Sequence, residues 1–233
     1  VRQAQRELYA THPDVMCPVV VVLDSCRDDT AEVVRRSSDV IGVEVTVGNV
    51  GAARAAGIER ARRCAPFPPQ RVWIGNTDAD TMVPPHWLTE QVALAAGGVD
   101  LVVGSVQPDP ADLDPDALAA WWARHTLGEG HTHVHGANLG FSLAAHDQVG
   151  GFAALATGED VDLVARMRAA GVRSLATSRT QAITSGRRWG RAAQGFADYL
   201  DGLSALHHPA PRPSADRARL VPHSGVARNR PAH

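Results

Sequence analysis

The sequence predicts an α/β domain built on a mainly parallel central sheet flanked by helices, and three observations carry that expectation. Short apolar runs at 18–23, 41–47, 71–74 and 100–106 alternate with longer stretches of helical spacing. The run at 18–23 is almost unbroken valine, the pattern of a strand covered on both faces. Proline and glycine mark the joins, as in Pro66, Pro68 and Pro69 before the third run.

At 233 residues the chain is long enough for one domain with a sizeable core and a tail, which we set at 1–206 and 207–233. The formal charge is −2 and the hydrophobic content 44%, which argues against a general nucleic-acid binder and for an ordinary soluble protein. No apolar run approaches the roughly 18 residues of a membrane span, no signal-peptide pattern opens the chain, and Cys17, Cys26 and Cys64 form no CxxC pair. These features point to a cytoplasmic protein without an integral membrane segment.

Residues 1–11 read as the last turns of a helix through Ala4 and Leu8. A parallel α/β domain normally begins with a strand, so this opening implies a truncated start or a strand dispensed with. The valine strand ends at Asp24, at the carboxyl end where open α/β sheets bind ligands. Asp28 and Asp29 are placed to cap a helix starting near Ala31. Val43, Val45 and Val47 alternate in the next strand, and Asn49 can cap a helix over 50–63. Arg54, in the first turn of that helix, is either a phosphate or base contact or a surface charge.

The strand at 71–74 runs into Asp78-Ala79-Asp80. In extended backbone residues i and i+2 face the same side, so both carboxylates would share one cleft. Close carboxylates repel unless solvated or neutralised, and hard oxygen donors favour Mg²⁺ or Mn²⁺. Pro84-Pro85 opens a further helix and 100–106 gives a strand. A helix over 118–127 carries Trp121 and Trp122, either core anchors or a platform for a sugar ring.

His131, His133 and His135 would share one face of an extended segment, a possible zinc face that nothing nearby completes. Gly136 and Asn138 suggest a tight turn or close packing against a ligand. Glu159 and Asp160 open a helix that Gly171 ends, where acidic residues also suit the helix dipole. A short strand at 174–177 and a last helix at 191–206 precede a Pro/Arg-rich tail expected to be disordered.

Taken in order, the strand ending in Asp24, Asn49-Val50-Gly51-Ala52-Ala53-Arg54, Thr77-Asp78-Ala79-Asp80-Thr81, His135-Gly136-Ala137-Asn138-Leu139-Gly140-Phe141, Val149-Gly150-Gly151-Phe152 and Gly158-Glu159-Asp160-Val161-Asp162-Leu163 resemble the family-2 glycosyltransferases of GT-A fold, which is Rossmann-like. The resemblance covers roughly residues 15–180. It implies that Asp24 recognises the nucleotide base, Asp78 the ribose or a metal-bound water, and Asp80 a metal ion on the diphosphate. It also implies a catalytic base at Asp160 with Glu159 beside it, and a donor-side place for Arg54, with Gly136 and Asn138 lining the donor pocket.

The function so implied is transfer of a sugar from a UDP- or GDP-linked donor to an acceptor hydroxyl, with inversion and with Mg²⁺ or Mn²⁺. Two departures stand out: the family's opening strand has no counterpart after Val1, and Arg187 and Arg188 stand where many relatives carry a histidine. They could meet the diphosphate or face solvent. A catalytically silent nucleotide-binding or scaffold protein is the alternative, along with a nucleotidyltransferase, which would want a Gly-rich basic loop.

Overall fold

The computed structural model describes residues 1–187 together with Phe196 and Leu200. Arg188, the rest of the expected helix at 191–206 and the tail at 207–233 lie outside the described residues. The chain opens with α1 (Arg2–Thr11), β1 (Val19–Asp24), α2 (Thr30–Arg36), β2 (Val40–Val45) and α3 (Val50–Cys64). It continues with β3 (Trp73–Asn76), β4 (Thr81–Met82), α4 (Trp87–Ala96), β5 (Leu101–Pro108) and α5 (Pro115–Trp122). Then come β6 (Leu139–Ser142), α6 (Leu143–Gln148), α7 (Glu159–Ala169) and β7 (Ser174–Thr184).

The α/β alternation follows the sequence reading, while the pairing is mixed. β1 and β2 run parallel as a two-stranded sheet, and the other strands form a second sheet in the order β3-β6-β5-β7-β4. In it β5 and β7 are parallel, whereas β6 lies antiparallel to both β3 and β5, and β4 antiparallel to β7. The mixing centres on β6, which inserts between β3 and β5 and runs against both. Its sequence signal is Ser142, whose hydroxyl accepts from the Ala145 N–H at 3.2 Å and caps α6 directly after the strand.

The valines of β1 are half-buried, only Leu23 being buried, because among the described residues β1 has one ladder partner. The two sheets are held side by side by α3, whose Gly57 lies against Val22 and whose Ile58 joins the main core of Val72, Leu101, Leu139, Phe141 and Leu163. On another flank, Ala4 and Leu8 of α1 pack with Trp87 and Leu88 of α4. Gln5 and Tyr9 of α1 both donate to the Cys17 carbonyl, at 2.8 and 3.1 Å, which fixes the approach to β1.

β7 runs well past Thr177 because its polar stretch Ser178–Gln181 bulges out of the ladder with β5, which resumes at Val106↔Ala182. Asn138 fills the space behind that bulge. It is fully buried, accepts from Trp87 Nε1 at 2.8 Å, and donates to the carbonyls of Ser105 at 2.9 Å and Thr180 at 2.6 Å. Gly104 is the complementary feature, since any side chain there would collide with the Asn138 amide. The side chain of Asn138, expected in the donor pocket, here ties β5, β7 and α4 together inside the core.

Asn138→Ala leaves the Trp87 N–H and two carbonyls buried without a partner. At about 1–3 kcal/mol for each of the three orphaned groups, a loss of roughly 3–9 kcal/mol is expected in urea unfolding.

Candidate functional site

Asp24 ends β1 and is gripped by the backbone that follows β2. Its carboxylate accepts from the N–H groups of Val47 and Gly48, both at 3.0 Å, and of Asn49 at 3.2 Å, with the Ser25 hydroxyl at 3.0 Å. These bonds, led by that from Gly48, outweigh the small cost of burial and hold the Asp24 carboxyl below its ordinary pKa. Asn49 in turn caps α3, accepting from the Ala52 N–H at 2.9 Å.

Arg54 sits one turn inside α3 and is the centre of the site. Its side chain is 11% exposed; Nη2 donates to Asp78 Oδ1 and Nε to Glu159 Oε1, each at 2.8 Å, while Nη1 reaches the Gly136 carbonyl at 3.4 Å. Burial works against the guanidinium charge, but the Asp78 and Glu159 carboxylates overcome it and raise the Arg54 pKa. Glu159 is 5% exposed, and burial pushes its carboxyl up, opposed by Arg54 and reinforced by Asp160. This ion pairing leaves Arg54 an interior cation rather than a surface charge.

Gly136 completes the network through its backbone. Its N–H donates to Asp160 Oδ2, and its carbonyl accepts from the Asn76 side chain, a contact the sequence reading did not anticipate. A side chain at 136 would collide with the Arg54 guanidinium, so only glycine allows this approach. Asp160 Oδ1 also accepts from the Val161 N–H at 2.8 Å, and α7 starts directly after Gly158 in the left-handed conformation at φ +72°.

Asp78 and Asp80 are not in extended backbone as expected. Ala79 and Asp80 form a turn closed by Thr81 N–H to the Asp78 carbonyl at 3.2 Å, so the two carboxylates part company. Asp78 turns to Arg54, and Asp80 pairs with Arg187 at 2.6 Å. The two-residue strand β4 sets this geometry, with Thr81 bonded to Thr184 at 2.8 Å and the Ser185 N–H donating to the Asp80 carbonyl at 3.1 Å. A pair so short, between Asp80 and Pro84, offers almost no periodicity to find it by.

Among the described residues no group of three or more His, Cys, Asp or Glu gathers as a metal cluster. Mg²⁺ and Mn²⁺ do not need one, because one or two carboxylates suffice when water and phosphate oxygens supply the rest. Asp80 and Asp78, 33% and 41% exposed, are donors of that kind. The imidazoles of His131, His133 and His135 stack in a row with centroids 6.2 and 6.4 Å apart. Trp121 is fully buried in a cluster with Leu127 and Leu200, and Trp122 is exposed.

The arrangement brings Arg54, Asp78, Gly136, Glu159 and Asp160 into one network, with Asp24 on a second network and Asp80 on a third. Among solved structures, a mannosyltransferase from Pyrobaculum calidifontis, PcManGT, determined with GDP-Man and Mn²⁺, matches with a TM-score of 0.50 at 20% identity. That match covers 89% of this chain and 67% of the other. GalNAc-T7, determined with UDP, GalNAc and Mn²⁺, matches with a TM-score of 0.51 at 12% identity, over 71% of this chain and 37% of the other. The fold these likenesses define is GT-A. Residues 16–151, more than half of the 233, match the profile of Glycosyl transferase family 2, and the chain belongs to that family. No curated protein matches the chain in sequence.

Gly136→Ala drives a methyl group into the Arg54 guanidinium, and a loss of about 1–3 kcal/mol is expected in chemical unfolding. His135 supplies a pH signature. Burial pushes its pKa down to about 4, against the opposing pull of Asp160. Between about 4 and the ordinary 6.5 the unfolded chain binds the proton that the folded chain refuses, so stability falls as pH drops through that window. The loss is of order 3 kcal/mol, and His135→Phe is expected to flatten the unfolding midpoint against pH there.

Proposed function

We propose that this glycosyltransferase moves a sugar from a UDP- or GDP-linked donor to an acceptor hydroxyl, with inversion at the anomeric carbon and with Mg²⁺ or Mn²⁺. The observation that carries the reading is the Arg54 network, in which Asp78 and Glu159 hang from one buried guanidinium beside Asp160. The Mn²⁺ and nucleotide or nucleotide sugar in PcManGT and GalNAc-T7 support the donor class.

In this reading Asp160 is the base. The Gly136 and Val161 N–H groups hold its carboxylate while each oxygen keeps a lone pair for the acceptor. It takes the hydroxyl proton as that oxygen attacks the anomeric carbon, and the bond from that carbon to the diphosphate breaks on the opposite face. Glu159, buried and bound to Arg54, is a positioning residue that keeps α7 in register with Asp78. Asp24 meets the base of the nucleotide. Asp80 would hold a divalent cation, with Asp78 as the second candidate donor, and the bound cation would supply positive charge to offset that on the departing diphosphate. Arg187, already at Asp80, is within the same region and can add charge-assisted bonds to phosphate oxygens.

Calorimetric titration of UDP and GDP, with and without Mn²⁺, tests the donor side: one nucleotide should bind only with Mn²⁺, and Asp80→Ala should abolish that dependence and metal-dependent turnover. Asp160→Asn should retain nucleotide binding while kcat drops about 10²–10⁴-fold, the usual weight of a general base. Undiminished turnover in Asp160→Asn would sink the assignment.

A further inference from the structure

The two acids of the Asp78-Ala79-Asp80 turn are neutralised in different ways. Asp78 is bonded to Arg54, which is 11% exposed and is held by Glu159 as well, so that cation is locked in place. Asp80 meets Arg187 at 2.6 Å, and Arg187, 58% exposed, has no other carboxylate partner among the described residues. An ion pair this exposed is weak, about fivefold or less in an equilibrium constant, because water screens it and two long side chains must be held still.

The backbone that carries Arg187 is fixed on both sides. Thr184, at the end of β7, is bonded to Thr81, and the Ser185 N–H donates to the Asp80 carbonyl at 3.1 Å. Across the segment, the Gly186 N–H and the Ser185 hydroxyl donate to Asp112 Oδ2 at 2.8 and 3.2 Å. Gly186 lies so close to Asp109 and Asp112 that a side chain there would collide with them. The Arg187 N–H donates in turn to the Ser185 hydroxyl at 3.3 Å. The chain is therefore pinned from Thr184 to the Arg187 N–H, and the guanidinium is the part left able to swing.

We propose that Arg187 is a built-in counter-ion for Asp80, which it yields to a divalent cation, its guanidinium then turning to the diphosphate of the donor. The inference rests on Asp80 being the metal donor. A guanidinium and a divalent cation at one carboxylate repel each other, so Asp80 serves one or the other. Once off Asp80, the planar fork of Arg187 matches phosphate oxygens and regains charge-assisted bonds there. Metal and diphosphate then bind cooperatively, because the diphosphate gives the displaced guanidinium a new partner.

The test is Mn²⁺ binding to the full chain, read from the paramagnetic resonance signal of free Mn²⁺, together with calorimetric titration of UDP and GDP at saturating Mn²⁺. Arg187→Gln is expected to bind Mn²⁺ alone about two- to fivefold more tightly, since the competing pair is gone. The same variant is expected to bind the nucleotide roughly tenfold more weakly, since a charge-assisted bond is lost. Arg187→Lys keeps the charge and should return Mn²⁺ affinity to that of the parent chain. A residue that merely supports the fold would weaken both ligands and a bystander would change neither; either result overturns the proposal, as does tighter Mn²⁺ with undiminished nucleotide binding. Asp80→Ala separates this inference from the reading beneath it. Mn²⁺ binding retained in Asp80→Ala would end the metal-donor assignment and the counter-ion role together. Binding lost in Asp80→Ala but unchanged in Arg187→Gln would leave Asp80 as donor and remove Arg187 from the exchange. If neither nucleotide binds the parent chain, the donor reading falls and the counter-ion role is decided by Mn²⁺ alone.

Discussion

One buried guanidinium organises the site. Arg54 leaves α3 and meets carboxylates from the end of β3 and the start of α7, together with the backbone of the turn before β6. Each of those elements arrives by a different route through the chain, and only β3 and β6 are joined by a ladder, which ends at Asn76↔Leu139 beside this point. Withdrawing a full charge from water costs several kcal/mol, which the two carboxylates offset only while their geometry holds. The network is therefore all-or-none in character. Loss of the cation would strand Glu159 in a nearly sealed position, and loss of the glycine at 136 would deny Arg54 the room it occupies.

The same constraint sorts the acidic residues by task. Asp160 is oriented by backbone N–H groups and keeps acceptor capacity free, whereas Glu159 spends its carboxylate on Arg54. Two adjacent acids at a helix start thus differ through their surroundings rather than their chemistry. The turn at Asp78 to Thr81 makes a comparable separation, sending one aspartate to Arg54 and the other to Arg187.

The sequence made much of this legible. Unbroken apolar runs located β1, β3 and β5, Asn49 announced the start of α3, and the order of motifs identified the family before any geometry was known. What escaped has physical reasons. β6 and α6 follow each other without a turn, so their periodicities merge into one apolar stretch after the histidines. The second half of β7 hides behind the polar bulge at Ser178–Gln181, where Ser178, Arg179 and Gln181 bond to Glu129, Glu90 and Gln107, tertiary partners no local pattern reveals. Asn138 read as a tight turn or a ligand contact because its three partners, Trp87, Ser105 and Thr180, come from segments distant in sequence. Arg54 stood evenly between two readings because ion pairing across 105 residues leaves no trace in spacing.

The division into two sheets has a mechanical consequence. Asp24 stands on the β1–β2 plate and Asp80 on the larger one, and no ladder of hydrogen bonds joins the plates among the described residues. Their spacing is set by α3, which lies across both like a strut. On the proposed roles, a donor whose base meets Asp24 and whose diphosphate reaches Asp80 spans that seam. It would be a cross-brace as well as a substrate, adding its binding free energy to the stiffness of the joint and giving it up when the diphosphate departs.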